Sequence, residues 1–173
     1  MKKTMILCCI LTVIFVLNIS AQQLGDIYTE RSAGFTMAMP AGWQTQNFNQ
    51  KYLSIVGPQD RGLTPNIGFA DEDYSGPTSG YIDAALGLFP VIFSDFTLLN
   101  RSTFTTDSGI VGETITYRCT MGSIQVRQKM YVFPNRRGTS VMIISCTAPS
   151  VNGERYDPIF DASVKTFNWT ARR

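Results

Sequence analysis

The sequence predicts an α+β fold in which an antiparallel β-sheet is sandwiched between helices, an αβα arrangement. Three observations carry it. Short runs with period-2 alternation of apolar and polar residues follow one another along most of the chain. Two stretches, one after Ser79 and one from Glu154 to Phe167, switch to a helical period. No repeat, linker or low-complexity tract divides the chain. Its 173 residues are 44% apolar, 12% aromatic and 16% charged, which suits one hydrophobic interior and excludes a highly solvated, disordered chain.

The first element is a leader. Met1-Lys2-Lys3-Thr4, an apolar run from Met5 to Ile19, and Ser20-Ala21-Gln22 have the basic start, hydrophobic middle and small-residue exit of a signal peptide, here 1–21. Residues 22–173 are then a single domain. The apolar run is shorter than the ~20 residues a spanning helix needs, so no integral membrane span is expected after signal removal. Cys8 and Cys9 fall inside the run, too early to begin a lipid-modified mature chain. The Lys-Lys start points to bacterial export, hence a periplasmic or secreted protein. The sequons at Asn100 and Asn168 would matter only in a eukaryotic secretory route.

After an irregular start, Gly34 to Pro40 alternates large and small side chains as a strand, and Ala41-Gly42-Trp43 turns out of it. Lys51 to Pro58 alternates again. Asn66 to Ala70 is the next strand, bounded by the Gly62 to Pro65 loop and by Asp71-Glu72-Asp73. Ser79 stands where a helix N-cap belongs, and Tyr81, Ile82, Ala85, Leu86 and Phe89 share one apolar helical face. Pro90 removes a backbone donor, so the helix should stop or kink near Leu88, with Val91 to Phe93 irregular. Phe96 to Thr105 reads as a strand. Asp107-Ser108-Gly109 then turns into three strands, Glu113 to Met121, Ile124 to Phe133 and Thr139 to Ala148, whose short connections imply an antiparallel meander. The closing helix runs from Glu154 to Phe167, with Pro158 in its first turn and Tyr156, Phe160, Val164 and Phe167 in one stripe. Asp157 and Asp161 lie toward its positive end and Lys165 near its negative end.

Tight turns in the meander would place Cys119 and Cys146 on either side of Val126. Two strand spacings of about 4.8 Å separate them by more than the roughly 7 Å that a disulfide spans, so two buried free thiols are expected.

Several function classes fall away. Without histidine, the Ser-His and Cys-His nucleophile pairs, the usual general base and the commonest zinc ligand are missing. No Gly-x-Ser-x-Gly elbow, phosphate-binding glycine loop, Cys-x-x-Cys pair or zinc helix is present, and nothing calls for a cofactor. A hydrolase with paired carboxylates would need two acids at catalytic separation in one pocket. Residues 22–173 hold 13 basic and 13 acidic side chains. They are divided as 4 against 10 up to Glu113 and 9 against 3 from Thr114 onward. The domain is dipolar and not basic, which argues against nucleic acid as a partner. The plainest expectation is that the two halves neutralise each other in the fold.

The order of elements, with the strand Gly34-Phe35-Thr36-Met37-Ala38-Met39-Pro40 followed by Ala41-Gly42-Trp43, the Ser79 helix, Gly112 opening the meander and Tyr156 through Phe167 closing it, resembles the PsbP-like superfamily. That family includes PsbP and the DcrB- and LpqN-type exported proteins. The resemblance covers most of residues 33–169. It implies an antiparallel sheet between helices and a largely non-enzymatic role in binding or assembly. The function expected is therefore an exported accessory domain that recognises an envelope protein or other partner. The alternative is a small-molecule or lipid binder with a cavity between the sheet and the Ser79 helix.

Two clusters are candidate sites. Arg118, Arg127 and Lys129 share the polar face of the meander, with Arg118 across from Arg127, and Arg136 and Arg137 lie at the adjoining turn. If a helix covers that face, Asp83 or Asp161 neutralises the stripe; if not, the five form a docking patch for an acidic partner or anionic ligand. Asp71, Glu72 and Asp73 could offer carboxylates to a hard cation, but their spacing lacks the alternation and turn glycine of a calcium loop, and a solvated strand end is the better reading. Trp43 is expected in the core, while Phe48 and Tyr52 fit either the core or a cleft. The scattered methionines Met37, Met39, Met121, Met130 and Met142 are expected to fill the interior and not to bind copper.

Overall fold

Residues 23–170 are described by the computed structural model. The signal peptide predicted at 1–21, with Cys8 and Cys9, lies outside them. Ten strands and two α-helices follow in the order β1 Leu24–Glu30, β2 Phe35–Pro40, β3 Gln44–Gln46, β4 Ser54–Val56, β5 Asn66–Asp73, α1 Thr78–Ile92, β6 Ser94–Thr105, β7 Val111–Met121, β8 Ile124–Pro134, β9 Ser140–Pro149, α2 Asp157–Lys165 and β10 Asn168–Trp169. A 3-10 turn, Gly153–Tyr156, leads into α2.

The main sheet has seven strands in the order β3-β4-β5-β9-β8-β7-β6, every pair antiparallel. One face carries Ile115, Tyr117, Cys119, Val126, Met130, Val132, Val141 and Ile143, packed around Ile82 of α1. The other carries Ile67, Phe69, Tyr131, Phe133, Met142, Ile144 and Cys146, packed against Phe160 and Val164 of α2 and against Phe35 and Met37. Phe35 and Met37 belong to a second, three-stranded sheet, β1-β2-β10. The layered α+β architecture expected from the sequence is present, with this small sheet added beside α2.

Local packing explains where the sequence reading and the fold differ. β1 is not irregular: it pairs with β2, and its one wholly buried residue, Tyr28, stacks on Phe69 at 5.5 Å. A strand with one apolar anchor leaves no alternation to read. β3 and β10 are only three and two residues long, below the length at which periodicity registers. The Lys51–Pro58 run contracts to β4, whereas β5 extends through the acidic cluster to Asp73. α1 continues through Pro90 to Ile92, because Phe93 donates its N–H to the Phe89 carbonyl and both rings pack on Tyr117, at 5.2 and 6.2 Å. Tertiary packing there outweighs the lost backbone donor. The N-cap of α1 is Pro77 and not Ser79.

The β7–β8 hairpin has the register expected, with Cys119 opposite Val126 and Arg118 opposite Arg127. The β8–β9 register does not. Pro134 pairs with Val141, so the turn takes up Asn135–Ser140 and Cys146 lies opposite Lys129. An odd register shift exchanges faces. Cys119 therefore sits in the core under α1 and Cys146 in the core under α2; both are free thiols, separated by the sheet itself.

Candidate functional site

The basic stripe is divided by α2. Arg127 reaches Asp157 with two bonds, Nε to Oδ1 at 3.0 Å and Nη2 to Oδ2 at 2.6 Å. Lys129 lies 2.7 Å from the Asp161 carboxylate, which also accepts a 2.6 Å hydrogen bond from the Tyr131 hydroxyl. Asp157 holds the Arg127 guanidinium above its ordinary pKa against the opposing effect of burial. The acids expected at the positive end of the closing helix thus meet the two cations beneath it, Asp161 as anticipated and Asp157 in the place considered for Asp83. Asp83 pairs instead with Arg101 at 2.5 Å.

Arg118, Arg136 and Arg137 stay exposed. Of the six ion pairs among the described residues, only Arg155–Asp60 joins the acidic half to the basic half. The two halves thus meet in one ion pair among the described residues, and positive charge remains on the surface at the β8–β9 turn.

That turn is built by Asn135. Its side-chain oxygen accepts the N–H groups of Arg137 and Thr139 at 3.1 and 3.0 Å, its backbone N–H reaches the Ser140 carbonyl at 2.8 Å, and Gly138 takes a φ of +66°. Asparagine and glycine supply the local hydrogen bonding and the left-handed conformation that a turn of this length needs. Arg136 is anchored by a hydrogen bond from its guanidinium to the Trp169 carbonyl. Arg137 forms no ion pair among the described residues.

Arg136 and Arg137 border a recess of about 580 Å³. Its second wall is the β1–β2 turn, Ser32 to Gly34, its third is Lys51 with Tyr52 and Asp71, and β9 residues Ser140 to Met142 lie at its base. Trp169 and Thr170 complete it. The Trp169 ring is set edge-on to Phe167 at 5.1 Å, and its indole N–H is buried with no hydrogen-bond partner among the described residues. Lys51 is bound to Asp71 at 2.6 Å and lies over the Tyr52 ring at 5.0 Å. Burial raises the Asp71 carboxyl, but the bonds from Lys51 and Tyr52 prevail and hold it below the ordinary carboxylate range. With Lys51 neutralised by Asp71, the recess keeps an excess of positive charge from two arginines. Such a surface suits carboxylates, which arginine binds bidentately.

The acidic cluster does not converge. Asp71, Glu72 and Asp73 are consecutive in β5, and consecutive strand residues face opposite ways. Asp71 turns to Lys51 and Tyr52, while Glu72 accepts a 2.7 Å hydrogen bond from Tyr81 of α1 on the other face. No group of three metal-ligating side chains occurs among the described residues.

A larger recess, about 930 Å³, lies on the α1 face but beside α1, over Gly68, Ala70, Ser145 and Thr147, with exposed Phe48, Met121 and Ile124 on its walls. No residue of α1 lines it, so it is not the cavity between sheet and helix that the sequence suggested. Tyr52 is a core residue, and half-buried Trp43 packs against the core, meeting Phe160 edge-on at 6.1 Å.

Sequence reasoning missed Lys51, Asn135 and Trp169 as partners of Arg136 and Arg137. The Pro-Asn-Arg-Arg-Gly turn announced itself. The approach of Trp169 depends on the two-residue strand β10, which pairs with β2 and left no signal.

No known family's sequence profile matches this chain, and no curated protein matches it. Solved structures do. The cyanobacterial PsbP of Synechocystis sp. PCC 6803 superposes with a TM-score of 0.57 over 88% of this chain and 95% of its own, at 15% identity. LpqN of Mycobacterium tuberculosis, described as involved in cell envelope biogenesis, gives 0.61 over 84% and 90%, at 15% identity. The Ran-binding protein Mog1p of Saccharomyces cerevisiae gives 0.56 over 86% and 96%, at 9% identity. The fold is PsbP-like.

Proposed function

We propose that this chain is an exported, non-enzymatic binding domain, an accessory or assembly factor that docks an acidic segment of an envelope protein in the Arg136–Arg137 recess. The observation that carries the reading is the contrast within one basic set. Arg127 and Lys129 are neutralised by Asp157 and Asp161, whereas Arg136 and Arg137 are held at the mouth of a recess by a hydrogen-bonded turn. Charge complementarity of this kind sets partner choice and association rate. The lack of histidine and of catalytic motifs supports binding without chemistry. The likeness to LpqN supports an envelope setting, and the leader-like 1–21 segment supports export.

The test is calorimetric titration with a hexaglutamate peptide and with a neutral hexaglutamine control. The acidic peptide should bind, weaken with added salt, and lose at least about tenfold in affinity in the Arg136→Glu/Arg137→Glu variant, about 1.4 kcal/mol. Equal binding of both peptides, or no loss in the variant, would overturn the reading.

A further inference from the structure

The ion pair between Lys51 and Asp71 is unlike the pairs beneath α2. It stands at the partition between the two recesses, and both of its residues line both of them. The Lys51 ammonium bonds to the two carboxylate oxygens of Asp71, at 2.6 and 2.8 Å. Its side chain is 64% exposed, whereas those of Arg127 and Lys129 are 17% and 11% exposed. The two partners also differ in freedom. Asp71 is held by the hydroxyl of buried Tyr52 at 2.8 Å, while the Lys51 head sits in solvent at the end of a flexible four-carbon stem. Among the residues that line the arginine recess Asp71 is the only acid, against three cations, Lys51, Arg136 and Arg137.

Given the acidic-segment reading above, on which this step rests, we propose that Asp71 is an internal competitor for the partner. Its carboxylate occupies Lys51 until a carboxylate of the incoming segment takes its place, and the freed ammonium becomes the third cation of the site. The exchange costs little. An exposed pair adds little stability, and Asp71 keeps its hydrogen bond from Tyr52 when Lys51 leaves, so no carboxylate is stranded without a partner. The recesses on either side leave the lysine head room to turn. Asp71 also repels any acidic ligand from within the recess, against the attraction of the arginines. It thereby sets a threshold: a segment must bring enough charge to offset that repulsion and to displace a carboxylate already in place. Segments with an isolated acid are turned away, and segments with several are admitted.

The experiment is a hexaglutamate titration of the wild type and of Asp71→Asn, followed by calorimetry and by the side-chain signals of ¹³C-labelled lysine. The lysines of the described region are Lys51, Lys129 and Lys165, so the last two serve as internal controls. Asp71→Asn should bind the peptide at least about threefold more tightly at low salt. In the wild type the Lys51 signals should shift and show nuclear Overhauser contacts to the glutamate side chains, while those of Lys129 and Lys165 stay in place. Asparagine keeps the shape of the side chain and an oxygen for the Tyr52 hydroxyl, and the wild-type lysine signals decide the question even for a variant that folds poorly. Equal or weaker binding by folded Asp71→Asn, or a wild type that binds the peptide with Lys51 unshifted, overturns the competitor and leaves the arginine site standing. Hexaglutamate that binds neither protein overturns the acidic-segment reading and the competitor together.

Discussion

Arg127 of β8 and Asp157 at the start of α2 form a two-point ion pair, with both bonds at or below 3.0 Å and both side chains about four-fifths shielded from solvent. This pair fixes α2 to the sheet on the face where Arg118 would otherwise repel Arg127. It is structural, and its removal should act on stability. Arg127→Ala is expected to cost about 2 kcal/mol, the scale of a hydrogen bond to a charged group left unmade. Urea unfolding with an unchanged m-value checks this, and hexaglutamate affinity should stay within about twofold for the folded variant.

Acid stability should depend on Asp71. Its carboxyl titrates below the usual range when folded, because the bonds from Lys51 and Tyr52 outweigh burial. A group whose folded pKa is depressed contributes its stabilisation above its unfolded value and loses it as pH falls through the folded value. Between about pH 5 and about pH 2 the wild type should therefore lose more stability than Asp71→Asn, as measured by urea midpoints at each pH.

The two cysteines should behave as inert thiols. Burial raises both above the ordinary thiol range, and the sheet separates them. Iodoacetamide should leave Cys119 and Cys146 unmodified in the native protein and modify both in denaturant, as peptide mass mapping would show. A mapped Cys119–Cys146 disulfide would contradict the β8–β9 register.

Gly112 tests the close approach of β7 to β8. A Cβ there would lie 2.2 Å from the Val132 carbonyl oxygen and 2.6 Å from the Phe133 ring. Gly112→Ala should destabilise by about 3 kcal/mol, since backbone cannot yield as a flexible side chain does. Gly122→Ala, at a turn with open space around it, should cost less than Gly112→Ala, through its φ of +63° alone.

How much the sequence disclosed follows from what each residue answers to. The β7–β8 register was readable because two turn residues, Gly122 and Ser123, leave one way to fold back. The β8–β9 turn was not, because Asn135 closes a six-residue loop with its own side chain and so moves Cys146 to the opposite face. Phe160 and Val164 announced α2 by spacing, but nothing local told Asp157 from Asp83 as the partner of Arg127. That choice depends on how the helix sits on the sheet. Pro90 misled for the same reason, since the packing of Phe89 and Phe93 on Tyr117 is invisible from the chain alone. At the recess, the two arginines and their turn were legible, whereas Lys51 and Trp169 arrive from strands far away in sequence.

The proposed recognition of acidic segments at the Arg136–Arg137 recess is tested by a ¹H–¹⁵N correlation spectrum of the labelled chain titrated with hexaglutamate. Shifts should concentrate at Ser32 to Gly34, Asn135 to Ser140, the Trp169 indole N–H and Thr170. Shifts centred on the larger recess around Gly68 and Ser145, or none at saturating peptide, would contradict it.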